Sequence, residues 1–206
     1  VSHDDLERFR ALVQNSAAIT MLVEADGTVA SVSGAFARVL GHDPELAVGK
    51  SLLDWVVPLQ RARVGAAFAD ALNTPGTSNF DATLTHRDGE RTVPLELCVV
   101  NLLDDPVVEG LVITAYDVTP LREAQASLQH MATHDALTGL ANRTLLLERA
   151  EDAVLRARDG SPVTVFFIDL DRFKPINDLR GHEAGDQLLQ EFATRLRAMA
   201  RGDDVV

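Results

Sequence analysis

The apolar positions change period along the chain, and each change marks an element. Residues 4–16 place Leu6, Phe9, Leu12 and Val13 on one helical face, behind Asp4 and Asp5 at its start. Residues 19–33 hold two apolar runs around Asp26-Gly27, a dipeptide that accepts positive φ, and predict a β-hairpin. Residues 34–73 hold no good strand; short helical pieces are interrupted at Gly41, Pro44, Gly49 and Pro58. After Pro58, Leu59, Val64, Phe68 and Leu72 recur at helical spacing. Three more strands are predicted over 79–87, 90–101 and 107–118. The first two are joined by the tight-turn sequence Arg87-Asp88-Gly89-Glu90. A five-stranded antiparallel sheet with helices on one face satisfies this order.

Residues 119–134 predict a polar helix. Leu121, Ala124, Leu128 and Met131 step along it by 3, 4 and 3, a two-heptad a/d stripe. Such a stripe suits an ordinary amphipathic helix packed on its own domain. It also suits a short parallel coiled coil that joins two protomers and transmits a signal. The helix's place between a sensor-like unit and a catalytic-looking one favours the coiled coil. Beyond it, residues 135–143 (DALTGLANR) form a turn-rich lead into a helix over 143–158, broken at Asp159-Gly160. Residues 163–168 (VTVFFI) read as a strand buried on both faces, and the run stops abruptly at Asp169-Leu170-Asp171. A last long helix carries Leu188, Leu189, Phe192, Leu196 and Met199 on one face.

Composition narrows the classes. The chain has 206 residues, 46% hydrophobic and 24% charged, which suits one large or two small globular domains. A single cysteine, Cys98, excludes an internal disulfide framework and is expected to be a small core residue. The net charge of −12 argues against a nucleic-acid partner held through phosphates. No run approaches the ~20 apolar residues of a membrane span and no signal peptide opens the chain, so a cytoplasmic location is expected. Only two of the 19 basic residues are lysines, Lys50 and Lys174.

The first unit resembles a PAS sensory domain. The ADGTV hairpin, the GHDPELAVGKSLLDWVVP segment, the HRDGE turn and the closing strand ending Asp117-Val118-Thr119 carry the resemblance. It implies a PAS fold over 1–118, then a signalling helix over 119–134, and dimerisation through both. Six histidines raise the question of haem. The helix that carries the ligand in haem-binding PAS domains falls within 58–73 and holds none, so haem is not expected. A flavin–thiol photosensor needs its cysteine in the middle helices; Cys98 lies in a strand, so flavin is not expected either. The ligand of this unit stays unassigned.

The second unit carries the chemistry. An aspartate after a strand is most often a cap or turn former, and Asn177, Asp178 and Gly181 alone would be loop punctuation. The constellation changes that weighting: a buried strand ending in a hard-cation ligand, a lysine able to meet phosphate, and two polar side chains able to read a base edge. A carboxylate at the end of a buried strand is where α/β folds place ligand chemistry. DALTGLANR followed by FFIDLDRFKPINDLRGHEAGDQLL is similar to the N-terminal half of a GGDEF domain, the diguanylate cyclase family. The implied fold class is α+β overall: a PAS fold, a connecting helix, then part of a cyclase-palm-like GGDEF domain over 135–206.

The resemblance implies a reaction joining two GTP into cyclic di-GMP with loss of two pyrophosphates. It implies two Mg²⁺ per active site. Asp169 would bind metal through its carboxylate and Leu170 through its carbonyl. Phe173 and Lys174 would border the triphosphate, and Asn177 and Asp186 would hydrogen-bond the guanine edge. The chemistry agrees: Mg²⁺ takes oxygen ligands, and a carboxylate accepts only from donors, which guanine N1–H and its amine supply. The Gly-Gly-Asp/Glu-Glu-Phe loop that names the family is absent from these residues and would lie just beyond Val206. The chain is therefore expected to be a fragment, inactive as it stands. Arg201-Gly202-Asp203-Asp204 fits the Arg-x-x-Asp pattern at which the family binds cyclic di-GMP for product inhibition. The plainer reading of those four residues is a capped helix end and turn. The alternative to a cyclase is a degenerate GGDEF domain acting as a nucleotide-binding regulatory module, ahead of a phosphodiesterase domain.

Overall fold

The computed structural model describes residues 13, 15–158, 163–201 and 204–206. The predicted helix over 4–16 and the break at Asp159-Gly160 lie outside or largely outside these residues. The described chain divides into two compact units, Val1–Arg122 and Glu123–Val206.

In the first unit β1 (Ile19–Val23) and β2 (Val29–Val32) form the predicted hairpin. Its tip closes because Gly27 takes φ +87° and the Asp26 carboxylate accepts from Thr28 N at 2.8 Å. α1 (Ala35–Leu40), three one-turn 3₁₀ pieces and α2 (Arg61–Asn73) fill the helical stretch. β3 (Gly76–Thr85), β4 (Thr92–Leu102) and β5 (Gly110–Asp117) follow. The sheet is antiparallel throughout, in the order β2-β1-β5-β4-β3. β1 and β5 are paired only after the whole unit has passed, Met21 standing opposite Ile113.

Alternation along each strand sends one set of side chains to a single face. Ile19, Met21 and Val23, Leu95, Leu97 and Val99, and Leu111, Ile113 and Ala115 are all buried there. Phe36 and Leu40 of α1 and Val64, Phe68 and Ala71 of α2 belong to the same core. Phe36 is its centre: fully buried, edge-on to Trp55 at 5.3 Å, and 5.9 Å from the His42 ring.

Three expectations need correction. Leu59 is 96% exposed, because the turn Pro58–Gln60 is 3₁₀ and α2 starts only at Arg61, which puts Leu59 out of helical register. Cys98 is half-buried rather than in the core: Leu97 and Val99 point inward, so the residue between them must face the other side. The third lies in the second unit. Residues 163–168 are not a strand; Phe166 is 81% and Phe167 101% exposed. A strand exists only through its neighbours' hydrogen bonds, and no strand among the described residues pairs with this segment.

α3 (Thr119–Thr133) begins where Asp117 Oδ1 accepts from Thr119 N at 2.8 Å. Leu121, Ala124, Leu128 and Met131 are all exposed along it. α4 (Arg143–Arg158), α5 (Phe173–Arg180) and α6 (His182–Met199) complete the described chain. On α6 Leu188, Leu189, Phe192 and Leu196 are half-buried as the periodicity predicts, but Met199 is exposed at the helix end. Among the described residues no helix is long and apolar enough to cross a membrane.

Phe36→Ala should lower the stability of the first unit by about 3–5 kcal/mol through lost burial and the cavity left behind. Trp55, the only tryptophan and in contact with Phe36, reports unfolding in urea; an unchanged midpoint would remove Phe36 from the centre of the core.

Candidate functional site

The site is built on a helical hairpin and the extended segment ahead of it. Asp169 is exposed and Leu170 half-buried, and Asp169 Oδ1 accepts from the next backbone N–H at 3.0 Å. The chain then turns sharply. Arg172 adopts φ +59°, a conformation unusual for a residue with a side chain, and α5 starts at the next residue. Phe173 is half-buried and Lys174 exposed on the first turn of α5.

α5 and α6 are separated by Gly181 alone, at φ +83°, where an L side chain would be strained. The two helices pack closely at Gly185, which is buried. A Cβ there would run into Asn177 Oδ1 and come within 3.2 Å of Phe173 Cζ. The absent side chain thus brings Asn177 and Phe173 against the residue next to Asp186. Asn177 Oδ1 is buried and has no hydrogen-bond partner. A buried acceptor left unmade is costly, about 1–3 kcal/mol, so it is a place where a donor from a ligand would be welcomed. Asp186 itself is exposed on α6. Phe173, Asn177 and the neighbourhood of Asp186 are therefore brought together. Asp169 and Leu170 lie in the extended segment ahead of α5, and Lys174 on its first turn. Among the described residues no three His, Cys, Asp or Glu side chains gather as a metal cluster.

The DALTGLANR segment is a tightly knit turn. Asp135 Oδ1 accepts from Leu137 N, Thr138 N and Thr138 Oγ1 at 3.2, 2.9 and 2.7 Å. The Thr138 hydroxyl and amide, then Leu137 N–H, hold its carboxyl below the ordinary value. Asn142 caps α4 by accepting from Thr144 N and Leu145 N, and its amide donates back to Ala132 O at 2.8 Å. α6 is tied to the same turn: Arg197 donates to Gly139 O at 2.9 Å and Gln190 to Leu137 O at 3.3 Å. Sequence reasoning singled out neither Gly185 nor Arg197. The only signal for Gly185 was a glycine at helical spacing, eight residues from Asn177, inside an otherwise good helix.

Arg201 and Asp204 do form the turn of the plainer reading. Arg201 N donates to Asp204 Oδ2 at 2.8 Å and Asp204 N to Arg201 O at 2.9 Å. Gly202 and Asp203 lie outside the described residues. Both Arg201 and Asp204 also line a cavity of roughly 530 Å³, together with Arg149, Arg156 and Arg197.

A five-stranded antiparallel sheet covered by short helices on one face defines a PAS-type module, and the site just described belongs to the unit that follows it. The chain matches the PAS fold family over residues 13–123 and the family described as diguanylate cyclase, GGDEF domain, over residues 132–206. It belongs to the PAS family and carries a GGDEF domain after the PAS domain. An uncharacterized signaling protein of Caulobacter vibrioides is 34% identical over 202 residues, 96% of this chain and 24% of that protein. The bifunctional diguanylate cyclase/cyclic di-GMP phosphodiesterase MucR of Pseudomonas aeruginosa is 42% identical over 109 residues, 52% of this chain and 16% of that protein. The PAS domain of a Colwellia psychrerythraea protein has a TM-score of 0.51 at 16% identity, covering 57% of this chain and 99% of that one. The chain spans about a quarter of the length of the full-length relatives it matches.

Gly185→Ala should push α5 from α6 and lower the stability of the second unit by about 1–3 kcal/mol, the usual cost of overpacking. Because the clash is with Asn177, the double variant Asn177→Ala/Gly185→Ala should recover most of that loss in thermal unfolding followed by helical circular dichroism. Strictly additive losses would show that the two residues do not meet.

Proposed function

We propose that this chain is the sensory and N-terminal catalytic part of a PAS-regulated protein that makes cyclic di-GMP from two GTP. The observation that supports it most is Asn177 Oδ1, a buried acceptor without a partner, held by Gly185 beside Asp186. Guanine offers its N1–H and exocyclic amine to such acceptors; adenine presents a bare N1 instead. Phe173 supplies an apolar wall, and Lys174, one of two lysines in the chain, is free at the surface to meet phosphate. The PAS unit, the signalling linker that contains α3 and the GGDEF unit take the boundaries 1–118, 119–134 and 135–206.

The donors at the head of α5 fit Mg²⁺. The Asp169 carboxylate and the Leu170 carbonyl are both hard oxygen ligands, and the second Asp169 oxygen is not used by the bond to Leu170 N. When bound there, the ion would neutralise charge developing at the α-phosphate. The rest of the chemistry is positioning: Asn177 and Asp186 fix the base, Phe173 excludes water beside it, and Lys174 orients the triphosphate. The hairpin loop that completes the family's site is not among these residues, so cyclisation is a property of a chain that continues through it. Product inhibition at Arg201 and Asp204 fits the arginine-lined cavity, since guanidinium groups bind phosphate in pairs of hydrogen bonds. Likeness to a bifunctional cyclase/phosphodiesterase keeps a second reading in play, a nucleotide-binding GGDEF domain that regulates a following phosphodiesterase.

In a chain continuing through the signature loop, Asp169→Asn should abolish cyclic di-GMP formation from GTP and Mg²⁺ while leaving the fold intact. Turnover like wild type, read by chromatography of the product, would end the metal role. The regulatory reading predicts no product from either chain but measurable GTP binding.

The exposed stripe on α3 supports pairing of two protomers, with each site holding one GTP. Leu128→Glu places like charges opposite each other in a parallel pair, so dimerisation should weaken and the cyclase rate should fall further than GTP affinity. Sedimentation over a concentration series is the check; an unchanged monomer–dimer equilibrium would reject the coiled coil.

A further inference from the structure

A second site lies in the PAS unit, apart from the nucleotide chemistry. The C-terminal end of α1, the turn Pro44–Leu46, Trp55 and the β3–β4 turn enclose a cleft of roughly 180 Å³. That is room for a small molecule of amino-acid size. Its lining combines three kinds of chemistry: Leu46, Ala47 and Trp55 are apolar, Arg87 is cationic, and Asp43 with His42 offers acceptors.

The walls are fixed by the fold. Gly41 at φ +71° lets the β3–β4 turn approach so closely that a Cβ at 41 would lie 2.8 Å from His86 Nε2 and 3.3 Å from Arg87 Cβ. Arg87 N donates to Leu40 O at 2.9 Å, so the backbone holds Arg87 at the cleft, while among the described residues its guanidinium has no hydrogen-bond partner. Trp55 rests edge-on against Phe36, and Thr85 N donates to Trp55 O at 2.8 Å. His42 Nε2 lies 3.3 Å from Thr85 O, which makes Nε2–H the donor and leaves Nδ1 an acceptor in the neutral ring. Asp43 Oδ1 accepts from Glu45 N at 3.0 Å, and its second oxygen is left for a ligand. Leu46 is 72% exposed at the rim, an apolar side chain with little of its own protein to cover it.

We infer that this cleft binds a small zwitterion with an apolar side chain, an aliphatic α-amino acid. The guanidinium of Arg87 would take the carboxylate through two parallel hydrogen bonds. The free Asp43 oxygen and His42 Nδ1 would take the ammonium. Leu46, Ala47 and Trp55 would cover the side chain. A simple carboxylate meets repulsion from Asp43, and a simple amine meets it from Arg87; only a ligand with both charges uses the whole lining. Binding stands independently of the cyclase reading, and only the step from occupancy to regulation rests on it.

The test is calorimetric titration of L-leucine into the 206-residue chain, with Trp55 fluorescence as a second readout. Saturable one-to-one binding is expected. Isovalerate, which lacks the amine, and isoamylamine, which lacks the carboxylate, should each bind at least about tenfold more weakly. Arg87→Gln and Asp43→Asn should each weaken leucine by about tenfold or more at an unchanged unfolding midpoint. No saturable heat or fluorescence change up to about 10 mM leucine would overturn the site. Equal affinity for leucine and isovalerate, or full affinity in Arg87→Gln, would overturn the zwitterion assignment. Cyclic di-GMP formation is not read in this titration, so its result and that of Asp169→Asn fail separately.

Discussion

A β-strand has no hydrogen bonds of its own, and every strand in this protein exists because a neighbour supplies them. That constraint organises the PAS unit. β1–β2 and β3–β4 close locally through Asp-Gly turns, yet neither hairpin makes a sheet. β5 does, by entering between β1 and β4 and pairing with both. Its insertion lines up Met21, Ile113 and Val99 across three strands, and the face they share is the one on which Phe36 and Phe68 settle. Burial of that face, not helix propensity, holds α1 in place; six residues are too few for a stable isolated helix.

The acidic excess has a structural use. Asp26, Asp43, Asp88, Asp105, Asp117 and Asp135 each accept from a backbone N–H two or three residues ahead. Each satisfies a donor that a turn or helix start would otherwise leave open. Asp88 shows the strongest effect: the Arg91 N–H and guanidinium, then Glu90 N–H, hold its carboxyl far below the ordinary range. Asp26 is lowered chiefly by Thr28 N–H and Asp135 chiefly by Thr138. Groups lowered in this way add stability that is present above the ordinary value of 3.8 and is lost as pH falls through the folded value. These six carboxylates therefore need no basic partner to explain them.

Glycine without a side chain shapes two candidate sites in different ways. Gly41 draws the β3–β4 turn to the end of α1 and so places Arg87 beside His42 and Trp55. Gly185 draws α6 onto α5 and so buries the Asn177 carbonyl. In both, close backbone approach positions a polar group that packing alone would have pushed to solvent. An alanine at either position would have to move that group first.

Most of the fold was legible in the sequence because its determinants are local. The two hairpin turns, the glycine and proline breaks and the alternation of β3–β5 are written in neighbouring residues, and so are the Asp169–Asp186 motif, the limits of α4 and the apolar stripe of α6. The failures share a cause. Leu59 depended on where 3₁₀ gives way to α-helix, Cys98 on which side of β4 meets the core, and residues 163–168 on a partner strand. Gly185 and Arg197 matter only through contacts with Asn177 and Gly139, eight and fifty-eight residues away. Periodicity determines that a segment can be buried and on which of its own faces; only the assembled structure decides what lies against that face, because hydrogen bonds and packing between elements are made with residues that no local pattern contains.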